Sequence, residues 1–340
     1  MQASAESQQK EAHTMNLNTA YKAKLTETLE LTQEWDKVFP KSSKVDHAKV
    51  QFVNRFGITL AGDLYMPKDA KEHMPALAVA SPYGAVKEQS GGFYAQTLAE
   101  RGFVTLVFDP SFTGESGGNV RNISAPDINL DDFASAIDYL EALEIVDANR
   151  IGVLGVCGWG CYTFPLAAMD TRVKAVVSAT MGVFDTFANG RERVEGRRSL
   201  NIIRNKLAQG ENVQVMITVP DIDENSPDFM KDYYGYYRTK RGFHKRSVNS
   251  GCGWNPTTFL SHYTNDIYAY ADEVTQPCLL IHGDLAWSYQ QSVLMMDRLT
   301  NAASKELITV KGATHCDLYD GGDNNYIPFD KIKEFLKNNL

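Results

Sequence analysis

Chemistry in this sequence points first to one cysteine. Cys157 stands in Arg150-Ile151-Gly152-Val153-Leu154-Gly155-Val156-Cys157-Gly158-Trp159-Gly160-Cys161, where an apolar run reads as a buried strand and the turn after it is dense in glycine. Tyr162 to Met169 then reads as a helix. Strand, sharp turn and helix make a nucleophile elbow, whose tip holds a strained reactive residue between small neighbours because two backbones pass close on either side. The tip falls on Cys157, with Gly155 two before it and Gly158 next. A thiol there faces the first N–H groups of the helix, whose partial positive charge favours the thiolate. The plainer alternative is a cysteine buried in the core, the commonest fate of a free thiol. Trp159 occupies a place where such turns carry a small residue, so its indole is expected in the substrate pocket or else to distort the turn.

A thiol nucleophile needs a base, and the base needs a partner that fixes its tautomer. His315 lies in Gly312-Ala313-Thr314-His315-Cys316-Asp317, an aperiodic loop after the last strand, and is the expected base. Asp284 directly follows the preceding strand and is the expected acid; otherwise it caps the next helix. Asp185, just past the strand ending at Thr180, is the competing acid. Two donors must face the developing oxyanion, each worth about 3 kcal/mol of transition-state stabilisation. The N–H of Gly158 supplies one, and the turn at Tyr83 and Gly84 after the Pro75–Ser81 strand supplies the other, with Gly84 leaving room for a ligand.

Those residues have to be carried to one place by the elements between them. Val50–Asn54 and Ile58–Met66 alternate like a hairpin, and Pro75–Ser81, Phe103–Phe108, Ile151–Val156, Val173–Thr180, Cys278–Asp284 and Glu306–Val310 read as strands. Helical stretches run from Phe93 to Arg101, Asp131 to Leu143, Ser292 to Leu299 and Phe329 to Leu340. This alternation implies a parallel sheet covered on both faces. Residues 47–340 form that domain, broken at about 183–270 by a charged, aromatic insertion that can roof the site. Its tyrosines either line a pocket or pack the insertion's own core. Residues 1–46 read as a tail followed by either an amphipathic helix, Tyr21 to Phe39, lying on the domain or a plain N-terminal extension.

Composition narrows the function classes. At 340 residues and 43% apolar, the chain can bury a full core, and a net charge of −8 with basic clusters only at 191–198 and 238–246 argues against nucleic acid. Five cysteines without a Cys-x-x-Cys pair are neither a disulfide framework nor a zinc site. No apolar run suits a membrane span or signal peptide, so the expectation is a soluble cytoplasmic protein, an exported one with its signal removed being the other reading. Monomer and homo-oligomer stay open.

Several motifs together carry a resemblance. Ser81-Pro82-Tyr83-Gly84-Ala85-Val86-Lys87-Glu88-Gln89-Ser90, Ala99-Glu100-Arg101-Gly102-Phe103-Val104, Phe108-Asp109 through Gly118, the elbow at Cys157, and Gly312-Ala313-Thr314-His315 followed by Asp317-Leu318-Tyr319-Asp320 resemble an α/β-hydrolase of the dienelactone-hydrolase-like group. The resemblance runs from about His47 to the C-terminus. It implies the α/β-hydrolase fold, a Cys or Ser nucleophile with His and an acid, hydrolysis of a small-molecule ester, lactone or thioester, and no metal or organic cofactor. Cys157 matches that group's nucleophile. Trp159 stands where it has glycine, and Ala286 where it has the acid. A Cys157–His315–Asp284 acyl-enzyme mechanism is the first expectation. The alternatives are a catalytically impaired ligand-binding protein of the same fold and a peptidase related to prolyl oligopeptidases.

Overall fold

The structure, a computed structural model, describes residues 19–183 and 190–340. The first hairpin forms as β1 (Val45–Val53) and β2 (Thr59–Pro67), paired antiparallel. β3 (Met74–Ala80), α1 (Ser90–Ala99), β4 (Val104–Phe108), α2 (Pro126–Glu141), β5 (Val146–Val156), α3 (Gly158–Met169) and β6 (Val176–Ala179) follow in strict alternation. The eight strands are ordered β1-β2-β4-β3-β5-β6-β7-β8, with β7 at Cys278–Gly283 and β8 at Lys305–Val310. From β4 to β8 every pairing is parallel. This is the α/β-hydrolase fold.

Period two along the strands divides the core into two faces. Ala76, Ala78 and Ala80 of β3 join the cluster built on Phe133 and Ile137 of α2, whereas Leu77 and Val79 join Tyr94 and Leu98 of α1. Both faces of the central strands are therefore buried, which explains their continuous apolar runs. Ile332 and Leu336 of α8 (Phe329–Asn339) close the second face.

Between β6 and β7 the insertion forms a cap. Its described part holds α4 (Gly190–Ala208), α5 (Asp228–Tyr237) and short single turns at Val248–Cys252, Thr258–Leu260 and His262–Thr264. α6 (Tyr289–Arg298) and the four-residue α7 (Asp317–Asp320) complete the fold. Among the described residues no helix is long and apolar enough to cross a membrane.

One expectation fails early in the chain. Tyr21 to Phe39 is not a helix but an irregular strap held by side chains. The Tyr21 hydroxyl accepts the Val53 N–H at 2.9 Å, the Thr32 N–H reaches Glu115, and the Lys37 ammonium lies 2.8 Å from buried Asp63. Tertiary partners override the weak helical period, because each is bought with a specific contact that a helix would forgo.

Candidate active site

All the parallel strands end at one edge of the sheet, so the loops after β3, β5, β6, β7 and β8 meet there. At the end of β5, Cys157 has φ 58° and ψ −124°, a backbone conformation that costs a non-glycine residue on the order of 1–3 kcal/mol. The elbow is tight enough to dictate its neighbours. A Cβ on Gly155 would lie 2.3 Å from the Trp159 carbonyl oxygen, so only glycine lets α3 turn back over β5.

The Cys157 sulfur borders a cavity of about 520 Å³ beneath the cap. It lies 3.9 Å from the Gly182 carbonyl after β6 and 3.9 Å from the Tyr233 hydroxyl on α5. Burial pushes the thiol's pKa up; the Tyr319 hydroxyl, the N–H of Gly158, the Tyr233 hydroxyl and the N–H of Tyr83 partly offset it by favouring the thiolate. Both backbone groups expected to face an oxyanion thus face the sulfur.

His315 is buried close by. Its ring lies 5.3 Å from that of Tyr233, 5.5 Å from that of Tyr319, and stacks on Trp287 at 5.8 Å. A Cβ on Gly182 would sit 3.1 Å from His315 Cε1, so Gly182 touches the imidazole on one side and the thiol on the other. Among the described residues His315 Nε2 has no hydrogen-bond partner. Burial holds the imidazole well below its ordinary pKa, and His282 lowers it further.

The other nitrogen brings a correction. His315 Nδ1 lies 2.8 Å from Ser288 Oγ, not against Asp284. Asp284 instead accepts the N–H of Gly312 at 2.7 Å, bracing the turn that leads to the histidine. The backbone leaves the end of β7 with this carboxylate directed at the β8 turn, and Ser288 at the start of α6 reaches the imidazole. Asp185 lies outside the described residues.

Trp159 and Gly84 are corrected as well. Trp159 is buried among Phe108, Phe133 and Tyr162, on the α2 side of the elbow and away from the large cavity. Its bulk is tolerated because it points into the core rather than across the turn. Gly84 has φ +79°, and a Cβ there would meet Asn249 at 2.7 Å and Trp254 at 2.9 Å. Its carbonyl takes bonds from Ser247 Oγ at 2.9 Å and the Asn249 N–H at 3.2 Å. Gly84 seats the cap. The two residues share only a crevice of about 10 Å³, too small for a substrate.

The cap tyrosines divide between the two expected roles. Tyr233 lines the cavity, while Tyr236 and Tyr237 pack against each other and Tyr319. Tyr83 stacks on Trp254 at 4.7 Å, and its hydroxyl bonds His262, which also meets Tyr162 at 3.0 Å. Burial lowers the His262 pKa to about 4, so it holds Tyr83 as a neutral ring.

Sequence reasoning missed Ser288, His282, Ser292 and His262. One signal was present: His282 interrupts the apolar run of β7, and Ser288 and Ser292 stand one helical turn apart. Among the described residues, Glu88, Asp109 and Glu115 are the group of acids close enough to share a cation, but the Lys87 ammonium lies 2.7–2.8 Å from all three.

This framework has known relatives. The sequence profile of the X-Pro dipeptidyl-peptidase (S15) family matches residues 57–316, about three quarters of the chain. The chain belongs to that family. It is accordingly an α/β-hydrolase enzyme. This S15-family hydrolase is 48% identical over 322 residues to the uncharacterized protein PA2218 of Pseudomonas aeruginosa, covering 92% of this chain and 86% of that protein. The crystal structure of PA2218 superposes with a TM-score of 0.86 at 45% identity, over 92% of this chain and all of that one. More distant relatives are acyltransferase drtE of Aspergillus calidoustus, 28% identical over 65% of this chain and 70% of its own, and thiohydrolase aneE of Aspergillus aculeatus, 30% identical over 42% of this chain and 43% of its own.

Proposed function

We propose that this hydrolase cleaves small-molecule thioesters or activated esters with an apolar acyl group, through a covalent intermediate on Cys157. The observation that carries the reading is the strained Cys157 at the cavity wall, its sulfur faced by the N–H groups of Tyr83 and Gly158. His315 takes the thiol proton at Nε2 as sulfur bonds the carbonyl carbon, and the carbonyl oxygen takes the negative charge between the two N–H groups. The leaving thiol or alcohol recovers a proton from His315, and water, activated by the same nitrogen, releases the acid.

The cavity supports the substrate class. Met216, Ile217, Val219, Phe229, Met230 and Phe259 wall it, which suits an alkyl or aryl acyl group. No Asp or Glu is among its described lining residues, so the amino terminus of a dipeptide would meet no counter-charge there. That weighs against an X-Pro peptidase, whatever the family's description. The names acyltransferase and thiohydrolase among the relatives accord with chemistry on acyl carbonyls.

The test is direct. Protein quenched after mixing with a short p-nitrophenyl ester should carry the acyl group on Cys157, and Cys157→Ala should lose at least about a thousandfold in turnover. Turnover retained by Cys157→Ala, or an adduct confined to exposed Cys252, would overturn the reading.

A further inference from the structure

An imidazole that receives a proton at Nε2 must already carry one at Nδ1, and something has to hold that tautomer. Among the described residues no carboxylate does so. The described groups packed around His315 are Tyr233 on α5, Tyr319 on α7, His282 on β7, Trp287 and Ser288 after β7, and Gly182, whose carbonyl meets the Cys157 sulfur. The carboxylates flanking its loop are otherwise engaged: Asp232 accepts the Cys316 N–H and the Thr314 hydroxyl, and Asp317 accepts the Thr314 N–H and lies 3.5 Å from Arg241.

We infer that Ser288 and His282 are positioning residues standing in for the triad acid: with His315 and Ser292 they form a one-way hydrogen-bond relay that leaves His315 Nε2 bare and keeps the Cys157–His315 pair uncharged at rest. The inference rests on Cys157 and His315 being nucleophile and base. All four relay residues are buried, and the links measure 2.8 Å from His315 Nδ1 to Ser288 Oγ, 2.9 Å from Ser288 Oγ to His282 Nε2, and 2.6 Å from His282 Nδ1 to Ser292 Oγ.

Counting protons ties the three links to one common direction at a time. If His315 Nδ1–H donates to Ser288, the single hydroxyl proton of Ser288 must go to His282 Nε2, and His282 must then donate from Nδ1 to Ser292. Run backwards, the same three links end with Ser288 donating to His315 Nδ1 and the His315 proton on Nε2, where it blocks transfer from the thiol. The relay thus has two settings, and one of them is competent. Ser288 is the N-terminal cap residue of α6, yet its hydroxyl makes no capping bond; both of its links run to histidines.

Chemistry follows from the missing charge. A carboxylate in place of Ser288 would stabilise an imidazolium and, with it, a resting thiolate. A hydroxyl does not, so the S–H bond breaks only as the S–C bond forms, the proton passing to Nε2. Such a pair suits acyl groups with good leaving groups. It also holds its base form to lower pH than a carboxylate-backed histidine would.

Ser288 and His282 can be tested with p-nitrophenyl ester turnover and iodoacetamide alkylation of Cys157, each against pH. Ser288→Ala should lower kcat about a hundredfold with KM nearly unchanged, and Ser288→Thr should restore most of it. Ser288→Asp should move the acid limb of the pH profile upward by about one unit and speed alkylation of Cys157 at low pH. Should the Ser288→Ala profile match that of the unaltered enzyme while Cys157→Ala stays inactive, the relay is overturned and the acyl-enzyme reading survives. Nitrogen-15 NMR of the histidine-labelled unaltered enzyme asks the same question without a variant. His315 protonated at Nδ1 supports the relay; His315 protonated at Nε2 overturns it.

Discussion

Two buried polar networks in this hydrolase are built from opposite chemistry. Around Lys87 everything is charged: its ammonium lies 2.8 Å from Glu88, 2.8 Å from Asp109 and 2.7 Å from Glu115, while Lys49 and Arg246 approach the same acids from β1 and the cap. Around His315 the bonding partners are neutral, a string of two serines and two imidazoles. The first network ties strap, sheet and cap together, and every cation in it has an anion. The second leaves one nitrogen bare. Charge is used where groups must stay put, because a buried ion is strongly destabilising once its partner is gone. In the proposed mechanism neutral groups stand where a proton must move, because a fixed carboxylate would trap it on the imidazole.

Breaking the charged side should produce the largest effect. Lys87→Met removes the central cation and leaves three buried carboxylates facing an apolar side chain. Stability should fall by about 3–5 kcal/mol, measured by urea unfolding at neutral pH. A loss under about 1 kcal/mol would mean that water or rearranged cations take over the role of Lys87.

Acid sharpens the contrast next, since the two networks fail in different windows. Burial brings the His282 pKa down to about 3 and the His262 pKa to about 4, against an ordinary value of 6.5. Each therefore contributes stability that is present above pH 6.5 and lost as pH falls toward those values, at about 1.4 kcal/mol per pH unit for each histidine kept neutral. Burial would raise the Glu88 pKa, but Lys87, against an opposing push from Asp63, and then Arg246 and Lys49 hold it at about 2. Its contribution is intact above its ordinary 4.5 and is lost only below that. Unfolding free energy followed from pH 7 to 3 should decline first through the histidines and then more steeply as the carboxylates join. His282→Gln should flatten the first part alone; an unchanged slope between pH 6.5 and 4.5 would show that His282 is not the group titrating there.

The smallest effect is expected at the residue first taken for the acid. Asp284→Asn should leave ester turnover within about twofold and cost about 1 kcal/mol of stability, through the weakened bond to the Gly312 N–H. A hundredfold loss in kcat would return Asp284 to the site.

Alternation of apolar runs with helical stretches, set by backbone periodicity alone, determined the sheet, the elbow and the end of the chain that carries His315. Strand ends in a parallel sheet converge wherever the intervening helices are, so Cys157, Tyr83 and His315 were legible as neighbours from order alone. The direction of a side chain leaving a loop has no period. Asp284 and Ser288 lie four residues apart after the same strand, and only the packed backbone decides which of them meets the imidazole. The same holds for Trp159, whose ring had two sides of the elbow to choose from and went to the core, and for Tyr21 to Phe39, where partners distant in sequence outweighed a local helical pattern. Local pattern selects elements because it acts through neighbours along the chain. Partners at the site belong to the tertiary structure, because they are chosen by groups that the chain brings near only once it has folded.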